Sequence, residues 1–409
     1  MQQNSDCRLS LTNVYLPEYA ANPYPLYHML REHDPVFWDE AAQRWVLTRY
    51  TDAVAALRDP RLSAARFMAS MDWVPDAMLV MLGPPIRALT RQILFLDPPD
   101  HTRLRSLMVK AFTPGVVEAM RSHIQHIVDD LLDKVQANGS MEVIHDFAYP
   151  LPAIVIAEML GVPPEDRQQF TRWTNDFGSI LESNDLSLEQ AIKAFLGVSE
   201  FMDYFRTIIA QRRLKPGDDL IQALLNAEED GRVLSEEELL GNCVLLLAAG
   251  HGTTTHLIGN GLLALLQHPD QYQLLKDNPD LISLAVMELL RYDGPVQATA
   301  RHVSEDIIIG GKHIKEGQRV VISLGAASRD AEQFSEPDTL NLRRSDNRHL
   351  AFGHGIHYCL GAPLARLEAE IALNTLLRRL PQPHVNLQEV EWASGMIFRG
   401  LHKLPIVFN

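Results

Sequence analysis

The sequence predicts a mainly α-helical protein with a minor β component, and three observations favour this class. Long stretches carry apolar residues at helical spacing, among them 115–135 and 191–212. Strand-like segments are few and short. No repeat, low-complexity tract or long Gly/Ser linker marks an internal boundary. Although 409 residues would allow two or three domains of ordinary size, these features predict one large domain spanning residues 1–409.

The individual elements follow from periodicity and from signals at helix ends. Ser235 and Glu238 have the spacing of a capping box that opens a long helix, and Pro269 follows the end of that helix. The predicted helices, in chain order, span about 115–135, 191–212, 235–266, 279–292 and 360–379. The predicted strands span 45–48, 306–309, 319–323 and 404–407.

Composition and charge limit the classes of partner. The chain is 46% hydrophobic and 22% charged, which is ordinary for a globular protein, and its net charge is −15. Acidic proteins bind nucleic acid and anionic membranes poorly, because Lys and Arg must neutralise the phosphates. The first residues carry no signal pattern, and the apolar run 243–249 is far shorter than the roughly 20 residues of a membrane-spanning helix. We expect a cytoplasmic protein with no nucleic-acid or membrane partner.

The most informative segment is the loop FGHGIHYCLG at residues 352–361. Its three glycines indicate either positive-φ backbone or close approach by a flat or bulky group. Cys359 directly precedes an amphipathic helix, and the helix dipole with its unpaired N–H groups stabilises a thiolate, the form that binds metals. A lone cysteine is most often an inert buried residue. We expect Cys7 and Cys243 to be of that inert kind.

Other interpretations of the glycine and histidine motifs explain less. His354, His357 and Cys359 are three possible zinc ligands, but no fourth ligand lies nearby and the glycines would remain unexplained. Gly353-x-Gly355 lacks the third glycine of a dinucleotide fingerprint, and residues 250–254 lack the lysine of a phosphate loop. Neither nucleotide interpretation is favoured.

Residues 352–361 resemble the haem-binding signature of the cytochrome P450 superfamily, Phe-x-x-Gly-x-His/Arg-x-Cys-x-Gly, with every fixed position filled. The resemblance implies that the Cys359 thiolate ligates the iron of haem b (iron protoporphyrin IX). It also implies the cytochrome P450 fold, with the haem between the long central helix and the cysteine loop. Phe352 and Gly353 of that loop are then expected to contact the cofactor.

The resemblance extends over nearly the whole chain. Glu288 and Arg291 fill the family's Glu-x-x-Arg motif, and Arg344 stands where the third member of the cluster is expected. The rigid donor fork of arginine suits a buried carboxylate, so these three residues are expected to tie a helix to the segment before the haem loop.

The resemblance also implies cations for the haem propionates. His101 and Arg105 lie four residues apart after Asp97-Pro98-Pro99-Asp100, so a helix would present both on one face. Arg301 and His357 match the remaining propionate positions.

Residues 249–254, AGHGTT, resemble the family's oxygen-activating motif Ala/Gly-Gly-x-Asp/Glu-Thr-Thr. The match implies that Ala249 allows close approach to the distal haem face and leaves space for O2. It also implies that the Thr253 hydroxyl interrupts the helical ladder and orients water or dioxygen. Gly252 stands where the family has an acid that helps to deliver protons.

Three interpretations of this missing acid remain open. Protons arrive through water and Thr253 alone, or His251 substitutes, since its side chain titrates near neutrality. However, His251 fills the variable position of the motif, where a structural or surface histidine is the simpler interpretation. Alternatively, the reaction is peroxide-driven or non-hydroxylating, as in coupling or nitration.

The resemblance implies an apolar pocket. The methionine-rich segment 67–96 matches the family's pocket roof, and 177–196 matches its movable lid. The other expected lining residues are Leu245, Ala248, Ala249, Val296, Met396 and Ile397.

The implied activity is that of a soluble bacterial haem-thiolate monooxygenase. It would insert oxygen from O2 into an apolar small molecule, a secondary-metabolite intermediate. Electrons would come from a separate ferredoxin or flavoprotein, because the chain is too short to carry a reductase domain as well. Arg105 and Arg366 are expected on the face that receives this donor, and a monomer is expected. The alternatives are a peroxide-driven or non-hydroxylating haem-thiolate enzyme, and a haem sensor without turnover.

Overall fold

The computed structural model describes residues 9–65, 82–182, 187–227, 231, 233–393 and 395–408. Helices dominate and the strands are short, which confirms the mainly α class with a minor β component. Cys7 and the predicted roof residues 67–81 lie outside the described residues.

The α-helices differ greatly in length, and the longest carries the oxygen-activating motif predicted from the sequence. In chain order they are α1 (Pro17–Ala20), α2 (Tyr24–His33), α3 (Tyr50–Arg58), α4 (Gly83–Thr90), α5 (Asp100–Val109), α6 (Pro114–Ala119), α7 (Arg121–Asp133), α8 (Pro150–Met159), α9 (Arg167–Glu182), α10 (Leu188–Leu214), α11 (Leu220–Asn226), α12 (Glu236–Gln267), α13 (Pro269–Asp277), α14 (Ile282–Asp293), α15 (Leu324–Ala327) and α16 (Ala362–Arg379). A π-helical turn spans Ile144–Ala148 and 3₁₀ turns include Pro279–Leu281 and Gly355–His357.

The strands form four small sheets. They are β1 (Val36–Asp39), β2 (Arg44–Leu47), β3 (Leu62–Ser63), β4 (Ser140–Glu142), β5 (Ala298–Val303), β6 (Ile307–Ile309), β7 (Lys312–Ile314), β8 (Arg319–Ser323), β9 (His384–Val385), β10 (Glu391–Trp392), β11 (Leu401–Lys403) and β12 (Pro405–Val407). The largest sheet has the order β1-β2-β8-β5-β3, in which β2 and β8 are parallel and the other pairs are antiparallel. The others are β4-β12-β9, β10-β11 and β6-β7.

The predicted elements differ from the observed ones mainly at their ends. The single helix predicted over 115–135 is two helices, α6 and α7, separated at Met120. Pro269 follows the end of the long helix and is also the first residue of α13. Proline is tolerated there because the N–H at the first helical position has no intrahelical partner. The last predicted helix begins at Ala362 rather than at residue 360, since Gly361 caps it.

The long helix α12 begins with the predicted capping box. The Ser235 Oγ accepts a hydrogen bond from the Glu238 N–H at 3.3 Å, and a Glu238 carboxylate oxygen accepts one from the Ser235 N–H at 2.9 Å. Near its start α12 meets α4 at backbone distance. A Cβ at Gly241 would lie 2.2 Å from the Ala88 carbonyl oxygen, so only glycine permits this approach.

Two apolar clusters pack on α12 and divide it into halves. Cluster A contains Leu257 to Leu265 of α12 with residues from α6–α8, α13, α14, α16 and the C-terminal strands. Cluster B contains Leu239 to Leu247 of α12 with residues from α4, α5 and α8–α11. The middle of α12 therefore lies where the two clusters separate.

Candidate active site

The middle of α12 presents small, accessible residues between two buried halves. Ala249 is exposed, and Ala248, Gly252 and Thr253 are partly exposed, whereas most other residues of the helix are buried. We call these four residues the open face of α12. The open face lies between clusters A and B, so the helix backbone there is accessible to a bulky flat group.

Thr253 carries a hydroxyl on the open face. This hydroxyl donates a 2.8 Å hydrogen bond to the Ala249 carbonyl one turn earlier. We expected the hydroxyl to interrupt the helical ladder, but α12 continues unbroken through this point. Because the hydroxyl donates to the backbone, its oxygen is left to accept a hydrogen bond from the open side.

The two glycines of the motif have different surroundings. Among the described residues, nothing lies within 4 Å of a Cβ placed at Gly252, so the position that carries an acid in the family has room there for a side chain. A Cβ at Gly250 would lie 3.2 Å from Ile156 Cγ1, on a packed side of the helix. The two positions therefore differ in their need for glycine. A side chain at 250 would crowd Ile156, whereas a side chain at 252 would not contact the described residues.

His251 is placed away from the open face. Its ring is buried and packs edge-on against Tyr149, with ring centroids 4.1 Å apart, and it hydrogen-bonds to the backbone of that residue. Burial lowers the pKa of His251 to about 4, so the ring is neutral at neutral pH. The structure therefore favours the packing interpretation of His251 over the catalytic one.

The cysteine loop is closed by backbone hydrogen bonds and by two left-handed glycines. The Cys359 N–H donates to the Phe352 carbonyl at 2.9 Å. Gly353 and Gly355 each have a φ of 72°, a conformation that favours glycine. A Cβ at Gly355 would also lie 2.6 Å from the Leu57 carbonyl oxygen, so the loop is held against the end of α3.

The surroundings of the Cys359 sulfur act on its pKa in both directions. The residue is exposed, yet the protein around the sulfur removes enough water that desolvation raises the pKa of the thiol. The N–H groups of Gly361 and Ala362 and the charge of Arg105 lower that pKa. The N–H groups at the helix start thus favour the thiolate, as predicted. Desolvation by the surrounding protein has the larger effect, so the pKa of Cys359 is raised overall. Cys243, in contrast, is fully buried, and burial raises its pKa.

Three predicted propionate ligands are buried or half-buried and form no ion pair with a carboxylate among the described residues, although the charge of Asp97 acts on His101 and Arg301. His101 is 2% exposed, and in the part of the chain that the structure describes neither of its ring nitrogens has a hydrogen-bond partner. Its ring lies 4.3 Å from that of His357. Burial lowers the pKa of Arg105 and lowers that of Arg301 to about 10. Neither arginine forms an ion pair with a carboxylate in the part of the chain that the structure describes.

These residues fit a haem. Buried cations without counter-ions are costly, and the two propionates would supply the missing negative charge. An accessible thiol before a helix is the donor that a haem-thiolate site needs, and the open face of α12 leaves room for a flat ring. Leu360, directly after Cys359, packs against the same cluster B as the first half of α12, so the thiol and the open face belong to one region. Among the described residues no group of three His, Cys, Asp or Glu side chains suits a metal ion, so the zinc alternative gains no support.

Glu288, Arg291 and Arg344 meet in a buried cluster. The Arg291 guanidinium donates to both Glu288 oxygens at 2.8 Å, and the Arg344 Nε lies 3.1 Å from one of them. Asn347 and the Asn341 N–H also donate to the same carboxylate, each at 3.0 Å. The Glu288 and Arg291 side chains are fully buried. The cluster ties α14 to the segment that leads into the cysteine loop.

The predicted substrate-lining residues do not all reach the open face. Ala248 and Ala249 lie on it, and Leu245 is 7% exposed within cluster B. Met396, however, packs with N-terminal residues, and its sulfur accepts a 2.9 Å hydrogen bond from Arg44. Met396 therefore has packing contacts with the N-terminal cluster, and its place in a substrate pocket stays a prediction.

The remaining predicted pocket positions have other contacts. Ile397 packs against the same N-terminal cluster as Met396, and Val296 pairs with Phe398 in an isolated bridge. Phe177 of the predicted lid is fully buried in cluster B, whereas Leu196 is 52% exposed. The predicted roof methionines Met68, Met71, Met78 and Met81 lie outside the described residues.

The sequence reasoning missed two side chains near this region, the exposed Arg58 and the largely buried His256. Arg58 is exposed at the end of α3, and its side chain lies beside Gly355 of the cysteine loop. His256 lies on α12 one turn after Gly252. Arg58 had no local signal, because only the fold brings it to the loop. His256 had one, namely its i+4 spacing from the position of the missing acid.

The fold and the site together define a haem-thiolate protein, and comparison with known proteins identifies its family. The family model "Cytochrome P450" matches residues 83–386. The chain belongs to the cytochrome P450 family, and it is an oxidoreductase of that family with a haem cofactor.

Several bacterial proteins match this chain over almost their whole length. Cytochrome P450 CYP107DY1 of Priestia megaterium is 42% identical over 418 residues, which cover 98% of this chain and 100% of the relative. The polyketide biosynthesis cytochrome P450 PksS of Bacillus subtilis is 41% identical, with 95% and 96% covered. The crystal structure of P450BioI with hexadec-9Z-enoic acid ligated acyl carrier protein has a TM-score of 0.89 at 40% identity, with 96% and 99% covered. No helix among the described residues is long and apolar enough to cross a membrane.

Proposed function

We propose that the protein is a haem-thiolate monooxygenase that inserts oxygen from O2 into an apolar small molecule. The observation that carries the proposal is the accessible Cys359 thiol in one region with the open face of α12 and with buried cations that form no ion pair with a carboxylate among the described residues. When bound, haem b supplies the activation of dioxygen. The roles of the side chains below follow from their own positions.

The residues around the thiol hold and orient the cofactor. The N–H groups of Gly361 and Ala362 stabilise negative charge on Cys359. His101, Arg105 and Arg301 bind the two propionates, and His357 packs on His101 from the loop side. Phe352 and Gly353 fix the loop conformation that presents the sulfur.

Thr253 is the oxygen-side residue. Its hydroxyl donates to the Ala249 carbonyl, so its oxygen can accept a hydrogen bond from the open side and orient a water molecule there. Ala248, Ala249 and Gly252 have small side chains or none, so they leave space on the same face for the small reactants. Gly252 contributes no proton-donating group.

The substrate is proposed to be an apolar intermediate of secondary metabolism. The accessible side chains of the open face are apolar apart from Thr253, so they offer little to a strongly polar ligand. The relatives include a polyketide biosynthesis enzyme and a structure with a fatty acyl chain on an acyl carrier protein.

Electrons are proposed to come from a separate ferredoxin or flavoprotein that docks beside the cysteine loop. Arg58 is exposed next to Gly355, and Arg366 is partly exposed on α16. Arg105 is half-buried, so its role is directed to the cofactor rather than to a docking partner. These cations attract an acidic donor even though the net charge of the chain is −15.

Spectroscopy and turnover test the proposed function in sequence. The reduced protein with carbon monoxide should show the Soret band of thiolate-ligated haem, and a different band would contradict Cys359 ligation. NAD(P)H consumption with a surrogate ferredoxin and reductase, accompanied by an oxygenated product, then separates a monooxygenase from a haem sensor. A panel of apolar compounds screened for a low-to-high-spin shift identifies a substrate.

A second candidate function is favoured by Gly252. A site without an acid is suited to an oxidant that brings its own protons, such as hydrogen peroxide, or to coupling and nitration chemistry. Product formed with peroxide at a rate above that with reductant and O2 would support this candidate.

Replacing Thr253 by alanine should divert electrons from product to peroxide. The variant loses the one hydroxyl on the open face, so we expect about 10-fold less product per NADPH, using the compound with the largest spin shift. Thr255→Ala is the matched control, because its hydroxyl also donates to the carbonyl four residues earlier but is buried. Equal losses in both variants would show that Thr253 acts only through the helix.

A further inference from the structure

The sequence contains two Asn-Gly pairs, and the fold places them in opposite surroundings. Asn138-Gly139 lies between α7 and β4, whereas Asn260-Gly261 lies inside α12. Asparagine is thermolabile, because the backbone nitrogen of the next residue can attack its side-chain amide. A following glycine favours this attack, since it has no side chain to obstruct it and its backbone adapts most easily. The two pairs therefore share one chemistry and differ in their structural context.

Asn138 lies where little holds the reacting groups in place. It is the last residue of the 3₁₀ turn Gln136–Asn138, and its side chain is exposed. Its side-chain amide makes no hydrogen bond to a described residue. The attacking group is the Gly139 N–H, which donates to the Gln136 carbonyl at 3.4 Å, longer than an ordinary N–H···O hydrogen bond. Only this weak bond keeps the Gly139 nitrogen in the turn.

Asn260, in contrast, is held on every side. It is 1% exposed, and its amide nitrogen donates to the carbonyls of Asp293 and Arg399 at 3.2 and 3.1 Å. Gly261 lies in the interior of α12, where backbone N–H groups donate to the carbonyl four residues earlier. A Cβ at Gly261 would lie 3.2 Å from Leu289 Cδ1, so this part of the helix is packed. Attack at Asn260 would break the helix and both side-chain hydrogen bonds.

The backbone of Gly139 also holds the C-terminal strand. Its carbonyl accepts a 2.8 Å hydrogen bond from the Phe408 N–H, and β4, which begins at the next residue, pairs with β12. Gly139 has a φ of 67°, and a Cβ there would lie 3.3 Å from the Phe408 carbonyl oxygen, so the turn favours glycine. Phe408 is 3% exposed and packs in cluster A. A change in the backbone at Asn138 therefore acts on the attachment of β12.

We propose that Asn138 is a site of spontaneous covalent modification, at which deamidation through Gly139 loosens the C-terminal strand. The Gly139 nitrogen forms a bond to Asn138 Cγ, the Cγ–Nδ2 bond breaks, and ammonia leaves with the proton of the Gly139 N–H. Water then opens the resulting succinimide ring at either carbonyl. One product is aspartate, and the other is isoaspartate, in which the main chain runs through Cγ. No atom is oxidised or reduced.

The isoaspartate product changes the length of the main chain. It adds one methylene group before Gly139 and so displaces the carbonyl that accepts the hydrogen bond from Phe408. We expect this bond to be lost first, and the Phe408 N–H to exchange with solvent about 10-fold faster, as for the loss of one hydrogen bond. The modification lies outside the candidate active site and does not depend on the bound cofactor.

Peptide mass spectrometry of the aged protein tests the site, with Asn260 as the internal control. The folded protein is kept in mildly alkaline buffer and digested at acidic pH at intervals, and an isoaspartyl methyltransferase labels isoaspartate. Asn138 should deamidate, and Asn260 should react about 100-fold more slowly, because its attack first breaks several hydrogen bonds. In the guanidinium-unfolded chain both pairs should react alike. Equal rates in the folded protein would overturn the proposal, as would an Asn138 that reacts only in the unfolded chain.

Two variants test the consequence for the C-terminal strand. Asn138→Gln keeps an amide but must close a larger ring, so hydrogen exchange of its C-terminal peptide should not change with age. Asn138→Asp has the new charge without the added methylene, so the freshly prepared variant should keep Phe408 protected. Faster exchange in aged Asn138→Gln would show that the loosening does not arise at position 138. Unchanged exchange in unmodified protein that contains isoaspartate would overturn the link to Phe408.

Discussion

Cys359→Ser should abolish the thiolate-type Soret band of the reduced CO form and reduce product formation to background. The Gly361 and Ala362 N–H groups and Arg105 stabilise an anion at this position, but a serine hydroxyl has too high a pKa to supply one. The variant should still take up haem, because the proposed propionate ligands His101, Arg105 and Arg301 do not depend on the sulfur. The measurements are the CO difference spectrum and the haem-to-protein ratio.

Cys243→Ser is the control for this variant. Cys243 is fully buried in cluster B, so this change should lower stability without altering the Soret band. If the thiolate band persists in Cys359→Ser and disappears in Cys243→Ser, the iron ligand is Cys243 and not Cys359.

Glu288→Gln should lower the free energy of unfolding by about 3–5 kcal/mol, the usual cost of breaking a buried ion pair by removing one partner. Arg291 has no exposed side-chain surface and Arg344 has 10%, so both charges would remain in the interior without a counter-ion. The amide also cannot accept all the hydrogen bonds that the carboxylate accepts from Arg291, Arg344, Asn341 and Asn347. Far-UV circular dichroism against urea measures the loss.

Glu118→Gln offers a matched comparison. Glu118 and Arg121 form a pair with the same i,i+3 spacing, but their side chains are 61% and 48% exposed. Exposed pairs contribute little, so this variant should unfold almost as the unmodified protein does. Equal destabilisation of both variants would mean that burial is not the source of the Glu288 effect.

Much of this architecture is predictable from local sequence, for identifiable reasons. The capping box of Ser235 and Glu238 and the apolar run behind it define α12 within one residue at each end. The strand at Arg319–Ser323 has the predicted bounds because its three consecutive β-branched residues favour extended backbone. The Cys359 loop combines glycines and a cysteine at fixed spacing, so it can be recognised from the sequence without tertiary information.

Other features depend on contacts that no local pattern contains. Met396 looks like an adaptable pocket residue, but Arg44 and the N-terminal cluster, more than 350 positions earlier, determine its place. Arg58 reaches the cysteine loop only because α3 ends there. His251 and His256 lie five positions apart, and burial lowers the pKa of both to about 4, yet the helix directs one ring onto Tyr149 and the other onto Gly400.

The contact of α4 with α12 also has a consequence for how substrates enter. At Gly241 the two backbones touch, and three further hydrogen bonds join Arg91, Gln92 and Ile93 to Gly241 and Asn242. An entrance that opened by lifting α4 together with residues 91–93 would break all three bonds and expose their polar groups. Entry of a ligand between α4 and α12 is therefore costly, and we expect this contact to stay closed.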